Sequence, residues 1–390
     1  MPVVNRVADL QSEIAAWRHD LHAHPELMYD VHRTAMFVAE KLRAFGCDEV
    51  VTGLGRTGVV GVIRGRSRTG GSAAVLGLRA DMDALPIEEA NDLPYKSKTP
   101  GRMHACGHDG HTAMLLGAAR YLAETRNFAG DVVVIFQPAE EGGAGARAMI
   151  GDGLMERFGI QQVFGMHNVP GLPVGRFGIR QGPIMASTDH IGLRISGRGG
   201  HAALPHNTID PVLAGSQLIV ALQGIVSRTI DPLDAAVLSI TKFHAGSAIN
   251  VIPQTAELGG TVRTLRAGTR DWIEKRVGET VAGVAQATGT TMDLRYTRGY
   301  PVLVNHAEQT DIALRVAREV AGEAQVEADI PPMMGAEDFA YMTEARPGAF
   351  IFVGNGDSAG LHHPAYNFND EAILYGTSYW IRLAETTLVA

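Results

Sequence analysis

The chain has 390 residues, 45% of them hydrophobic and 19% charged, which is enough to bury sizeable cores and longer than one domain usually runs, so two domains are expected. A formal net charge of −8 argues against a phosphate-tracking nucleic-acid binder, which carries a basic patch. Two cysteines make no disulfide framework, the amino terminus shows no signal-like apolar stretch, and no apolar run approaches the ~18 residues that span a bilayer, so the chain reads as cytoplasmic, with neither membrane nor nucleic acid as partner.

In chain order, a helical pattern from about Asn5 to Ala23 stops before Pro25, and "TAMFVAEKLRAFG" is a second amphipathic helix closed by Gly46. "VVGVIRG", "AAVLGLRA", "DVVVIFQPAE" and "QQVFGMHNVP" are short, apolar and bounded by turn residues, with a helix from Thr112 to Arg126 among them. The pattern is that of an α/β protein with a helix-covered mixed sheet. From 186 to 295 the rhythm changes to strand ("HIGLRISG"), helix (Pro211 to Arg228), two strands ("AAVLSITKFHAG", "QTAELGGTVRTL"), helix (Arg270 to Ala287) and strand ("TMDLRYT"). That βαββαβ order predicts an inserted ferredoxin-like domain. A helix from Ala307 to Ala321, the strand "GAFIFVGNG" and a closing helix from Glu371 to about Leu388 then resume the first style, so residues 1–185 and 296–390 form one discontinuous domain.

The ligand-forming residues fall at strand ends of this discontinuous domain. "HACGHDGHTAML" places Cys106 and His108 two apart on a Gly-containing loop just before a helix; alone such a pair is weak evidence, because buried cysteines act mostly as small hydrophobes. Glu140 and Glu141 follow a buried strand and Pro138, and the flexible turn "GGAGA" after them lets both carboxylates project beyond the sheet, as a ligand and a general base would. His167 closes an apolar strand, and His362 and His363 follow "AFIFVGNG"; a single histidine in such a place is more often a hydrogen-bonded core or loop residue. Open α/β sheets bind ligands at the carboxyl ends of their strands, so convergence is geometrically reasonable.

Taken together, "RHDLHAHPEL", "LRADMDALP", "MHACGHDGHTAML", "FQPAEEGGAGA", "GMHN", "GRGGHAALPH", "INVIPQTAELGGTVRT", "GAEDFAYM" and "LHHPAYNFND" resemble the aminoacylase and carboxypeptidase group of dinuclear metallohydrolases, in its hippurate hydrolase and auxin-conjugate amidohydrolase branch. The resemblance runs over nearly the whole chain. It implies a metal-binding catalytic domain and, in residues 186–295, a smaller dimerisation and lid domain, in a homodimer. It also implies two divalent cations per subunit bridged by Cys106, with Glu141 and His362 completing one site and His108 and His167 the other, and Glu140 as general base. Two cations ~3.5–4 Å apart can share a nucleophilic water and polarise an amide carbonyl. In "RADMDALP", Asp81 stands where related branches have a histidine, which assigns the ligand role to His108 and leaves Asp83 as a carboxylate that orients it.

By the same resemblance, His201 reaches a developing oxyanion across the dimer, and Asn250 and Arg263 lie near the substrate, Arg263 as a bidentate clamp on its carboxylate. A polar surface histidine and an exposed cross-strand arginine are the alternatives. "PPMMGAEDF" matches a stretch beside the site in that family, which implies that Met333, Met334, Gly335 and Glu337 line the acyl pocket; core filler is the alternative for the two methionines. His22, His24 and Glu26 are given only helix-end packing and hydrogen bonding. Many relatives have serine at His363, so His362 is taken as the ligand. The implied activity is hydrolysis of an N-acyl-L-amino acid (hippurate-like, acetyl or indole-acetyl) to a carboxylic acid and a free amino acid. N-acetyl-diaminopimelate deacetylation and small-peptide carboxypeptidase activity use the same apparatus. A cysteine-nucleophile hydrolase and a noncatalytic metal-binding protein are the readings from other classes. The donor set admits zinc, manganese, cobalt or nickel.

Overall fold

The computed structural model describes residues 3–66 and 74–389. Helices α1 (Asn5–Ala23) and α2 (His32–Ala44) precede strands β1 (Glu49–Leu54), β2 (Gly58–Arg64) and β3 (Val75–Asp81), helix α3 (His108–Thr125), and strands β4 (Asp131–Gln137) and β5 (Gln162–Pro170). With Phe177–Gly178, Val326–Glu327 and Gly348–Gly356, the strands build one eight-stranded sheet in the order β1, β2, β4, β3, β5, Gly348–Gly356, Phe177–Gly178, Val326–Glu327. Its middle four strands, β4, β3, β5 and Gly348–Gly356, run parallel, and β2 and Phe177–Gly178 flank them antiparallel. The parallel strands are buried along nearly their whole length, which is why they read as continuous apolar runs. The patterning does not pick out β1, an edge strand in which only Leu54 is fully buried.

Helix α3 begins at His108, four residues before the start predicted from patterning. The turn into it is made by Gly107 at φ +90°, where a Cβ would lie 2.3 Å from Asn168 Oδ1 and 2.5 Å from Tyr366 Oη, so only glycine fits. The polar first turn, with His108, Asp109 and His111 all buried, hides the helix from a hydrophobic periodicity test. Further along, Leu115, Leu116 and Leu122 join Ile14 and Trp17 of α1 and Tyr379 and Trp380 of the closing helix Ala372–Thr387 in one core.

The chain divides into two compact units, residues 1–182, 304–331 and 338–390 in the first, and 183–303 with 332–337 in the second. In the second, Ala236–Ala245, Thr255–Thr264, Asp189–Ser196 and Thr291–Arg298 form a four-stranded antiparallel sheet in that spatial order. Numbered along the chain this is 2-3-1-4, the ferredoxin-like arrangement, with helices Pro211–Thr229 and Ala267–Thr288 packed through Leu218, Leu222, Ile273 and Val277. Pro211–Thr229 corrects one expectation: it is 19 residues long and, by length and composition, apolar enough to cross a membrane. Its Ala214, Leu218, Leu222 and Ile225 are instead spent on the unit's own core, while Leu213 and Val220 stay exposed.

Candidate active site

Each of the four parallel strands delivers a polar group at or just past its carboxyl end. β3 ends at Asp81 with Asp83 two residues on, β4 leads into Glu140–Gly143, β5 carries His167, and Gly348–Gly356 leads to His362. The Glu140–Gly143 turn is less free than its glycines suggest. Ala139 and Ala144 bracket it at φ +54° and +56°, a left-handed conformation that costs a non-glycine residue free energy and needs support from its surroundings. That support is present: the Asp83 carboxylate accepts the N–H groups of Glu140 (2.9 Å) and Glu141 (3.1 Å), Ala139 N–H donates to Met28 O (3.1 Å), and Tyr29 Oη donates to Gly143 O (2.7 Å).

Within this first unit the structure brings the predicted ligands together as two groups sharing one sulfur. Donor atoms of Cys106, His108 and His167 lie within 4.8 Å of one another, as do those of Cys106, Glu141 and His362; His108, Glu140 and Glu141 form a further such group. Cys106 Sγ is 3.3 Å from His167 Nε2, and His362 Nε2 is 3.3 Å from Glu141 Oε1. Each imidazole is aimed by its other ring nitrogen or its backbone. His108 Nδ1 donates to Asp83 O (2.8 Å) and His167 Nδ1 to Asn168 O (2.7 Å), which leaves the Nε2 lone pairs facing inward. His362, at φ +63°, is tied to the cysteine loop by its N–H donating to Ala105 O (2.8 Å). His363 is exposed and its Nδ1 accepts the Ala365 N–H instead. Asp83 orients His108 through its main-chain carbonyl; its carboxylate, 3.7 Å from Nδ1, serves the Glu140 turn.

The electrostatics are those of a site that suits cations. Burial, reinforced by Glu141, pushes the Cys106 thiol up to about 12. Burial and the neighbouring His111 keep His167 neutral, well below the ordinary imidazole range. Burial disfavours charge on His108, yet the Asp81 carboxylate and the thiol outweigh it and raise its pKa well above the ordinary value. Glu141 is depressed against its own burial, chiefly by its hydrogen-bonding partner His362. Two buried atoms, His108 Nε2 and Glu141 Oε1, make no well-formed hydrogen bond. Buried polar atoms of this kind, in a set of one sulfur, three imidazoles and carboxylates, fit a pair of borderline-soft divalent cations, which would displace the thiol and imidazolium protons.

Sequence reasoning missed a second row of residues behind these. His111 Nδ1 is 2.7 Å from Asp81 Oδ1 and its Nε2 is 2.7 Å from Asn168 Oδ1, while Asn168 Nδ2 donates to Tyr366 Oη (2.6 Å). The available signal was spacing, since His111 lies three residues after His108 on one helix and therefore on nearly the same face. Asp81 is held by His111 and by Arg79 Nη1 (2.8 Å). His22 has the helix-end packing and hydrogen bonding expected of it: it is fully buried, with Nδ1 2.8 Å from Asp109 Oδ2 and Nε2 3.3 Å from Glu89. His24 Nδ1 donates to Asp20 O, and Glu26 caps α2 by accepting the N–H groups of Arg33 and Thr34.

The remaining predicted residues belong to the second unit. His201 lies in the short strand Gly200–His201 paired with Val251–Ile252; its Nδ1 accepts the Ala203 N–H, and the neighbouring Asn250 carbonyl accepts the Ala202 N–H. Both side chains are exposed. Arg263 is half-buried on Thr255–Thr264 and makes no hydrogen bond or ion pair among the described residues, and burial lowers its pKa, with Asp189 acting in the opposite direction. Met333 pairs with Met185 and its carbonyl accepts the Ala186 N–H, Met334 is half-buried, Gly335 is exposed and Glu337 is buried.

Residues 77–386 match the model of peptidase family M20/M25/M40. The hippurate hydrolase of Campylobacter jejuni is 45% identical to this chain over 384 residues, covering 98% of this chain and 99% of that protein. An N-acetyl-L-cysteine deacetylase of Bacillus subtilis is 40% identical, covering 98% and 90%. Among solved structures, a dinuclear metal-binding peptidase of the M20 family from Bacillus subtilis superposes with a TM-score of 0.84 at 36% identity, covering 98% of this chain and 99% of that one. With the family model spanning most of the chain and full-length relatives at this identity, the chain belongs to peptidase family M20/M25/M40 and is a metal-dependent amidohydrolase.

Proposed function

We propose that the enzyme hydrolyses N-acyl-L-amino acids, of the hippurate-like, acetyl or indole-acetyl kind, to a carboxylic acid and a free amino acid. The observation that carries this reading is the pair of donor groups sharing Cys106 with Glu140 beside them. Cys106, Glu141 and His362 would hold one divalent cation, and His108 and His167, with the same thiolate, a second. Zinc, manganese, cobalt or nickel held there would supply Lewis acidity for the scissile carbonyl and the attacking water. Glu140 takes the proton of that water and hands it to the leaving amine, so that one carboxylate serves as base and then as acid. Asp83 keeps this geometry by holding the N–H groups of both glutamates. A cysteine nucleophile is disfavoured by a thiol pushed up to about 12.

Substrate recognition falls to Arg263, whose unpaired guanidinium suits the free carboxylate of an N-acyl amino acid, with Asn250, Gly335 and Glu337 contributing. His201 supplies the oxyanion donor, and it does so from a second copy of the chain. Support for self-association comes from the second unit, where Ala236–Ala245 is a free sheet edge bearing the exposed Val237, and Leu213 and Val220 are exposed on Pro211–Thr229. The test is to screen N-acyl amino acids, N-acetyl-diaminopimelate and small peptides against protein reconstituted with each metal, with product release followed by mass spectrometry. Release of a free amino acid from an N-acyl substrate, abolished by chelator, is the expected result. Exclusive turnover of peptides or of the diaminopimelate derivative replaces this reading with the corresponding one.

A further inference from the structure

Arg79 is a fully buried arginine in the middle of the parallel sheet, on β3, the strand that lies between β4, which leads to Glu140, and β5, which carries His167. Its guanidinium engages Gln137, Asp81 and Asp338 in different directions. Nε donates to Gln137 Oε1 (2.9 Å), Nη1 to Asp81 Oδ2 (2.8 Å) and Nη2 to Asp338 Oδ1 (3.1 Å). Both carboxylates are themselves buried, so each needs this cation and the cation needs them. A planar fork with fixed donor directions also sets how far apart the two carboxylates lie, which a lysine ammonium cannot do.

From each carboxylate a chain of hydrogen bonds leads to one half of the proposed hydrolytic centre. Asp338 is clamped by Arg79, by the Gln137 side-chain amide at 2.8 and 3.0 Å to its two oxygens, and by the Ala146 N–H (2.9 Å). Held this way, Asp338 presents its own N–H to Glu140 Oε1 at 3.4 Å. On the other side Asp81 holds His111 and His111 holds Asn168, whose carbonyl accepts from Nδ1 of His167. We propose that Arg79 is a positioning residue of the hydrolytic centre: one buried guanidinium that sets Glu140 through Asp338 and His167 through Asp81 and His111.

This inference rests on the reading of Glu140 as general base and His167 as ligand, and the test separates the two. Asp338→Asn keeps the shape of the clamp and removes its charge; Arg79→Met removes the link, and Arg79→Lys restores the charge without the fork. Metal content by elemental analysis, melting temperature, and kcat and KM on an N-acyl amino acid are measured for each, with Glu140→Gln as reference. Asp338→Asn is expected to retain both metals and near-normal KM while kcat falls ~10–100-fold, the scale of loss that follows from misplacing a catalytic group by about 1 Å. Arg79→Lys should lie between wild type and Arg79→Met. Should Arg79→Met fail to fold, with two buried carboxylates left uncompensated, Asp338→Asn and Arg79→Lys still decide the matter. An Asp338→Asn enzyme with wild-type kcat per metal-loaded chain and only a lower melting temperature overturns the proposal, as does a kcat loss matched by metal loss. Undiminished turnover in Glu140→Gln instead overturns the underlying reading of the base.

Discussion

The candidate residues of the first unit and those of the second are held in opposite ways. Cys106, His108, Glu140 and His167 are buried, and each imidazole or glutamate is fixed by a named neighbour, Asp83 O for His108, Asn168 O for His167 and the Asp83 carboxylate for the Glu140 turn. His201 sits exposed on a two-residue strand, Asn250 is exposed just before the strand that pairs with it, and Arg263 makes no hydrogen bond or ion pair among the described residues. The first set is preorganised by its own unit, as a centre that stabilises a transition state must be. The second set is held only loosely among the described residues, by the Ala203 N–H on His201, so the roles proposed for it call on groups from outside its own packing, a substrate carboxylate for Arg263 and a second chain for His201.

The sharpest way to break this contrast is to change the two adjacent glutamates. Glu140→Gln should lose ~10³–10⁴ in kcat, near the upper end of what a general base contributes, and keep both metals. Glu141→Gln should lose metal along with activity, because Glu141 Oε1, 3.3 Å from His362 Nε2, is the oxygen placed to join His362 and Cys106 in holding a cation. Elemental analysis and steady-state kinetics of the two variants side by side decide it, and equal metal loss in both would show the roles to be misassigned.

His201 probes the exposed set. His201→Ala should lower kcat ~10²–10³-fold, the loss seen for oxyanion donors, with metal content unchanged. If a second chain supplies it, mixing His201→Ala with Glu140→Gln creates heterodimers in which one of two sites is whole, and activity should return after subunit exchange. A demonstrated heterodimer that stays inactive would place His201 within its own chain or outside the reaction. Smaller still, Arg263→Lys should raise KM ~10-fold with kcat near wild type, since one charge-assisted bond of a bidentate pair is lost and the charge remains. The loss should vanish on substrates whose carboxylate is amidated.

Much of the fold was legible because its strands are continuous apolar runs and its second unit has a distinctive element order; the residues proposed as ligands stood out because the motifs carry unusual concentrations of Cys, His and Glu. What was not legible has physical reasons. The start of α3 was hidden because its first turn buries His108, Asp109 and His111, polar groups that mimic a loop. Edge strand β1 was hidden because it buries little. Arg79, Asn168 and Asp338 carry little local signal, since apart from the Arg79–Asp81 and Asn168–His167 contacts the partners named for them lie 57 to 259 residues away along the chain and only the sheet order brings them together. The Glu140 turn reads as flexible from its glycines, but its rigidity comes from Met28, Tyr29 and Asp83, none of them in the turn.

The last prediction tests whether preorganisation of the first unit extends to the base of α3, where His22 pairs with Asp109 one residue after a proposed ligand. Burial alone would depress His22, but the Asp109 carboxylate, with help from Glu89, outweighs it and lifts the imidazole from 6.5 to about 9, against opposition from the nearby Arg18. A pKa raised on folding contributes stability that is complete below the unfolded value, near 6.5, and is lost as pH rises through about 9. At 1.36 kcal/mol per unit the contribution is roughly 3 kcal/mol. Urea unfolding of the metal-free protein at a series of pH values should therefore show wild type losing stability between pH 6.5 and 9.5 more steeply than His22→Gln, which is neutral throughout and still able to donate to Asp109. Parallel curves for the two proteins would mean that His22 folds uncharged and serves Asp109 only as a neutral hydrogen-bond donor. At pH 7 the metal-loaded His22→Gln enzyme should keep kcat within a few-fold of wild type, because the Asp83 and Asn168 carbonyls that aim His108 and His167 are untouched.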